Sequence, residues 1–477
     1  MQYLGFDAYE KSINKVEQSV VFMAKDGDET AIIIAAEAGS KSVSELGFKG
    51  VETGDGKYRC PLTHENAETL RRLFPFTAPV RGLSKPRSFG LGDRLGIATP
   101  GHIAFFEKTD VFPVFAQQSI RELNLTGRTY EDVLDAATFA VFQEGYKKGF
   151  GADGDHLKTP RDVEYALSLG FTMITLDCSE HIKNDVTPDN APSLSKQYGD
   201  KYLNKKFDIE EGITLAFNEG DLRQCVAIYA DAIAFAAKIY KQFFASGRYD
   251  ADFEISIDET ASVTTPLQHF FVACELLDAG VSFATIAPRF CGEFQKGIDY
   301  KGDIAQFEKE IKVHAAIARH LGYKLSIHSG SDKFSVFPII GRETRGAFHV
   351  KTAGTNWLEA MRVVALADPS LYREVHAYAL EAFDEAKKYY HVTTDLSKIP
   401  DVSTIKDKDL TKLFENNDSR QLIHITYGLI LSRRKSDGSF TFRDRLYKLW
   451  RDHEDEYRNA LAKHIGKHLE LLGAMGV

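Results

Sequence analysis

From about residue 85 to about residue 430, short apolar runs alternate with longer stretches in which apolar residues recur at helical spacing. That alternation predicts successive βα units and a parallel sheet. The runs VFPVFAQQ (111–118), FTMITLD (171–177), DFEISID (252–258), VSFATIAPR (281–289), KLSIH (324–328) and AFHVK (347–351) have the length and residue types of strands. A weaker strand ends in FGADGDH (150–156), and LIHITYGLI (422–430) is a further expected strand. Between them, Thr129 with Asp132 opens a helix whose Val133, Leu134, Ala137 and Val141 share a face; another runs from Asp303 through Phe307 and Ile311 to a stop at Gly322. The number of units and the lack of a clear second domain favour a closed (β/α)8 TIM-like barrel over an open doubly wound sheet. The active site is then expected at the C-terminal ends of the strands.

Ahead of this pattern, VVFMAK and TAIIIAA flank DGDE, a hairpin signal. The expected organisation is a small N-terminal β-containing unit (1–84), a barrel (85–435) and C-terminal helices (436–477). Residues 183–211 are polar and turn-rich, and as an insertion after a strand they suit a lid or substrate loop.

Composition narrows the class of function. The chain has 477 residues, 43% of them hydrophobic, which is enough to bury a large core. Its 59 Lys and Arg against 68 Asp and Glu give a formal charge of −9, which argues against a nucleic-acid or anionic-membrane partner. The five cysteines are scattered and include no C-x-x-C pair, which disfavours a disulfide framework or a thiolate zinc site. With no apolar run long enough to span a bilayer, the expectation is a cytoplasmic protein; the oligomeric state is not legible.

The most conspicuous motif is GFGADGDHLK (149–158), which contains G-x-G-x-x-G at Gly149, Gly151 and Gly154. A dinucleotide loop needs a strand leading into the glycines and a helix opening on the last. Here a helical stretch leads in and Pro160 opens the next helix too late, so no nicotinamide site is assigned. The alternative is a strand that delivers His156 to the barrel mouth. His328 and His349 also lie at strand ends, and three imidazoles with open positions suit a divalent zinc, manganese or nickel ion. In DFEISIDET, alternation sends Glu254, Ser256 and Asp258 to the polar face, with Asp258 outermost as a general base and Glu254 about 7 Å deeper. Gln117, Gln118, Ser119 and Glu122 follow another strand end. The amides and hydroxyl suit a polyol, and Glu122 is a second acid/base candidate. Arg289, Lys333 and Lys351 could hold a substrate carboxylate.

Taken together, FAQQSIRE, TGRTYEDVLD, FQEGYKKGFGADGDH, ISIDET, APRF, KLSIHSGSDKFSV and FHVKTAGTNWLEA, over residues 86–360, resemble the tagaturonate epimerase family of hexuronate catabolism. The resemblance implies a metal-dependent interconversion of D-tagaturonate and D-fructuronate, with metal-binding histidines at His156, His328 and His349 and acid/base carboxylates at Glu122 and Asp258. The two ketouronates differ at a carbinol carbon β to the ketone, whose C–H that carbonyl does not acidify. Retro-aldol cleavage, rotation and re-addition is therefore the expected route, with transient oxidation by NAD as the alternative. A barrel aldolase, isomerase or hydrolase acting on a sugar acid is the competing reading.

Overall fold

Eight parallel strands close on themselves: β1 (Arg87–Gly92), β2 (Phe112–Ser119), β3 (Gly151–Leu157), β4 (Met173–Asp177), β5 (Asp252–Ile257), β6 (Thr285–Pro288), β7 (Lys324–Ile327) and β8 (Phe348–Ala353). Pairing of β8 with β1, from Phe348 opposite Arg87 to Ala353 opposite Gly92, seals the barrel. The structure is a computed structural model that describes residues 1–27, 29–36, 41, 43–187 and 190–474.

Period-two alternation assigns the two faces of each strand. Phe89, Phe115, Ile174, Phe253, Ile286, Leu325 and Val350 point outward into one continuous core shared with the surrounding helices. The floor of the barrel is apolar, built from Leu83, Phe112, Val114 and Met173. Above it the interior is polar: Asp153, Thr175, Glu254, Thr285 and Lys351, from five different strands, meet one another through hydrogen bonds and ion pairs. The helical readings hold at both ends tested. Thr129 and Asp132 form a capping box on Tyr130–Glu144, and Gly322 ends Ile304–Leu321 with φ 83°.

Two expectations about strands need correction. LIHITYGLI is helical, divided between Asn417–Ile425 and Tyr427–Ser432, because its apolar residues are buried all round and such a run has no period to distinguish helix from strand. The missing strand is β1, RSFGLG, whose glycines hide it by lowering its β propensity. Gly90 leaves room there for the buried side chain of Gln117, which a Cβ would displace.

The glycines of 149–154 also serve packing. Gly151 and Gly154 lie within β3, where added Cβ atoms would press on Val114 and Phe112 or on Ile174 and Ala166, and the next helix starts only at Pro160. The N-terminal hairpin is present as Ser19–Asp26 paired with Glu29–Ala36, inside an antiparallel sheet. Of the polar stretch 183–211, none of the described residues lines the mouth cavity, although Asn184 accepts a hydrogen bond from the Ala261 N–H just beyond Glu259. The stretch's helix Lys196–Tyr202 and strand Phe207–Ile209 turn Tyr198, Tyr202 and Phe207 onto Phe270 and Phe271 of the helix Pro266–Asp278, on the outside of the barrel. Among the described residues, no helix is long and apolar enough to cross a membrane, and all five cysteines are free thiols.

Candidate active site at the barrel mouth

The site begins with a defect in a strand. The register of β3 on β4 shifts between Gly154 and Leu157, and His156 sits there with φ 55°, a left-handed conformation that side chains with a Cβ rarely adopt. Regular alternation would send Asp155 and His156 to opposite faces. The bulge brings both to the mouth, where His156 Nδ1 lies 2.6 Å from Asp155 Oδ1 and the other ring nitrogen, Nε2, lies 4.0 Å from Glu259 Oε1. Strain at a position of this kind is a common mark of function.

Just beyond β7, His328 completes the pair, its ring centre 4.9 Å from that of His156. Its Nε2 lies 2.8 Å from Glu254 Oε1 and its Nδ1 3.1 Å from Asp258 Oδ1, without hydrogen-bond alignment on the second contact. His156, His328 and Asp258 offer ligand atoms within 4.8 Å of one another, a donor set suited to a borderline divalent cation. Each imidazole has its other nitrogen held by a carboxylate, Asp155 or Glu254, the outer-shell arrangement that fixes ring orientation at metal centres. Without a metal, burial pulls the His328 pKa down, but Asp258 and Glu254 outweigh it and push the ring up to about 10. Burial likewise would raise Asp258, and His328 overrides it to hold the carboxyl below the usual carboxylate range.

His349 does not join this group. It lies deeper, level with Ser326 of β7 and Ser88 of β1, with Nδ1 2.9 Å from Ser88 Oγ and its other nitrogen unpartnered. Burial lowers its pKa to about 3 and keeps it neutral. Lys351, two residues on, is no free cation. Its ammonium contacts Asp153 Oδ2 at 2.6 Å, Asp155 Oδ1 at 2.5 Å and Glu254 Oε1 at 3.4 Å, fixing the carboxylates that orient the two histidines. Burial opposes its charge, but the three carboxylates raise its pKa well above the ordinary lysine value. Burial also pushes Asp153 up to about 6.

Several other expected residues are diverted. Glu122 is buried, and Arg94 holds its Oε1 at 2.7 and 2.9 Å while stacking 3.9 Å from the Tyr427 ring centre. Ser119 caps the helix Ile120–Thr126 by accepting from the Glu122 N–H. Gln117 donates to the Thr352 carbonyl, and Gln118 is buried with both amide atoms unpartnered. Lys333 turns back to donate to the carbonyls of Gln295, Ile298 and Ser331, and burial lowers its pKa to about 7.

Of the expected substrate-binding cations, Arg289 does line the mouth. A cavity of about 310 Å³ there is bounded by Asp258, Glu259, Arg289, His328, Arg121 and Lys296, with Tyr389, Tyr390 and His391 along another wall. Among the described residues, Arg121, Arg289 and Lys296 make no ion pair; Arg121 only stacks 5.0 Å from the Tyr390 ring centre. Burial lowers the Lys296 pKa. Glu259, next to Asp258, has Oε1 4.0 Å from His156 Nε2 and a side chain 39% exposed, so with Glu293 (43% exposed) it is an accessible carboxylate of the mouth, and the one that faces the histidines. Sequence reasoning passed over Glu259, Lys296 and His391. Glu259 was signalled by its place beside Asp258; the other two come from connections with no motif. A larger cavity, about 1000 Å³, lies away from these residues, between the N-terminal sheet and the C-terminal helices.

A closed βα barrel that gathers two histidines, several carboxylates and unpaired cations at the C-terminal ends of its strands has the architecture of a barrel enzyme. A sequence model described as tagaturonate epimerase matches residues 9–472, and the chain belongs to that family, which makes it an epimerase and therefore an isomerase. It is 46% identical to the tagaturonate/fructuronate epimerase of Thermotoga maritima over 98% of this chain and 97% of that one. The native crystal structure of a fructuronate-tagaturonate epimerase from Cohnella laeviribosi superposes with a TM-score of 0.94 at 49% identity, covering 98% of this chain and 96% of that chain. A glycerol complex of the Cohnella laeviribosi enzyme gives the same TM-score and identity, with 97% of that chain covered.

Proposed function

We propose that this chain interconverts D-tagaturonate and D-fructuronate with a divalent cation, zinc, manganese or nickel, held by His156, His328 and Asp258. The observation that carries the reading is a cavity of about 310 Å³ lined by two of those ligands, Asp258 and His328, together with the unpaired cations Arg121, Arg289 and Lys296, with the His156 ring centre 4.9 Å from that of His328. A sugar acid needs both: a centre that stabilises an oxyanion and a counter-charge for its carboxylate. The named substrates of the relatives are such acids.

Because the carbon to be inverted is β to the ketone, its C–H cannot be removed by simple enolisation; in this reading the bond to its neighbour opens instead. A bound cation supplies Lewis-acid stabilisation for the negative charge left beside the ketone. Glu259 takes the hydroxyl proton as the bond breaks. Arg121, Arg289 and Lys296 keep the carboxylate anchored while the aldehyde half turns and presents its other face. Tyr389, Tyr390 and His391, from the segment after the helix Pro369–Ala386, wall the cavity and help retain the fragments. In this account Asp258 acts as a ligand and Glu122 as the counter-ion of Arg94, with Glu259 in the role first expected of them.

The test is an NMR assay of chelator-stripped protein with D-tagaturonate and no nicotinamide, before and after addition of Mn²⁺, Ni²⁺ or Zn²⁺. D-fructuronate forming only after metal addition supports the proposal. Formation that needs NAD, or that proceeds fully in metal-free protein, overturns it.

A further inference from the structure

A second set of ligand-type side chains lies away from the cavity, where the connection after β7 meets the last helix, Glu454–Leu471. His464 and His468 are one helical turn apart and share a face. Both turn toward Asp332, whose φ of 60° places its backbone in the left-handed region. Asp332 Oδ1 lies 2.7 Å from His464 Nε2 and 3.9 Å from His468 Nε2, and the three ligand atoms fall within 4.8 Å of one another. The aspartate and His468 are buried, and His464 nearly so.

The hydrogen bonding of this cluster is incomplete in an informative way. His468 Nδ1 lies 2.9 Å from the His464 carbonyl, so Nδ1 carries the proton and Nε2 the lone pair. His464 Nδ1 faces Glu359 Oε1 at 3.6 Å, a buried carboxylate oxygen with no hydrogen-bond partner. That contact is too long for a hydrogen bond, but a proton on Nδ1 would face Glu359 and leave the Nε2 lone pair toward Asp332. Asp332 Oδ2 is already occupied by Arg420 at 2.9 Å, whereas Oδ1 and His464 Nε2, although close, are not aligned as donor and acceptor and both count as unpartnered. Across so short a gap the two atoms need a positive charge between them, supplied by a proton on His464 Nε2 or by a bound cation. At ligand distances near 2.1 Å in a tetrahedral site, neighbouring donors sit about 3.4 Å apart, between the 2.7 and 3.9 Å found here. The competing interaction is one hydrogen bond, from the Asp332 N–H to His468 Nε2 at 3.0 Å.

We infer that Asp332 Oδ1, His464 Nε2 and His468 Nε2 form a second, structural divalent-metal site of the zinc class, with Glu359 orienting His464. The site would tie the last helix to the connection that follows His328, at the rim of the barrel. The inference does not depend on the substrate reading.

Crystals of the full-length protein soaked in ZnCl₂ test it directly by anomalous scattering at the zinc edge. A peak bounded by Asp332, His464 and His468 is expected; its absence in crystals that show zinc at His156 and His328 overturns the inference and leaves the cluster a protonated ion pair. Metal counting in solution gives a separate arm. Zinc-loaded wild type should retain two equivalents, and both His464→Gln and His328→Ala one each. Equal content in wild type and a folded His464→Gln variant would also overturn it.

Discussion

Lys351→Met removes the one cation from a cage of three buried carboxylates and a threonine. The side chain is 4% exposed and its two shortest carboxylate contacts are 2.6 and 2.5 Å. Coulomb's law at an effective dielectric of about 20 gives roughly 6 kcal/mol for each. Most of that offsets the desolvation of the charges, and breaking one buried pair typically costs about 3–5 kcal/mol. Because Asp153, Asp155 and Glu254 all lose the same partner, the upper part of that range is expected here. Equilibrium urea unfolding followed by far-UV circular dichroism measures it. The pH dependence supplies a sign. In the wild type, burial raises Asp155 and Glu254 but Lys351 leads the groups that hold both well below their ordinary values. Without Lys351, chiefly the histidines remain to oppose burial, so the folded pKa values of both carboxylates rise from their wild-type positions and the variant's folded state takes up protons at higher pH than the wild type's. The variant's deficit must then shrink as the pH is lowered from 8 to 5. A deficit under 0.5 kcal/mol (roughly the noise of a surface substitution), or one that is constant over that range, would refute the electrostatic account of the interior.

The other predictions concern the mouth. His156→Ala and His328→Ala should each lose the catalytic metal in elemental analysis of the dialysed protein, whereas His349→Ala keeps it; equal loss in all three would restore His349 as a ligand. Arg121→Met, Arg289→Met and Lys296→Met each remove a charge available to the substrate carboxylate. At about 1.5–3 kcal/mol per charge-assisted hydrogen bond, kcat/KM should fall roughly 10- to 150-fold, chiefly through KM. Glu259→Gln should abolish the limb of the pH–rate profile that reports the base, with metal content unchanged. Glu122→Gln should leave that limb in place and instead lower the unfolding midpoint, since Arg94 is left buried with its charge uncompensated, at a cost of about 3 kcal/mol or more.

What the sequence made legible divides along a physical line. β5 could be read down to the facing of each residue because its alternation is local: Phe253, Ile255 and Ile257 are packed outward, and Glu254 reaches the interior cage. His156 and His328 could be paired because both end strands of a barrel whose ends converge. His349 looked equivalent, yet its depth depends on the stagger between strands. Register with Ser326, two residues before His328, is a pairing property that no single strand encodes. Lys333 and Glu122 are held away from the expected contacts for another reason. Each stands at the right address, but a long side chain goes where its strongest partners are: three carbonyls for Lys333 and Arg94 for Glu122. The same limit explains why the wall of Tyr389, Tyr390 and His391 was invisible while 183–211 looked like a lid. Polar, turn-rich composition identifies a connection, but the aromatics scattered through 183–211 decide where it packs, and they bind it to the outer helices rather than to the mouth. Local pattern thus fixes which elements exist and which residues they offer, whereas register and long-range partners decide which of those offers the site takes up.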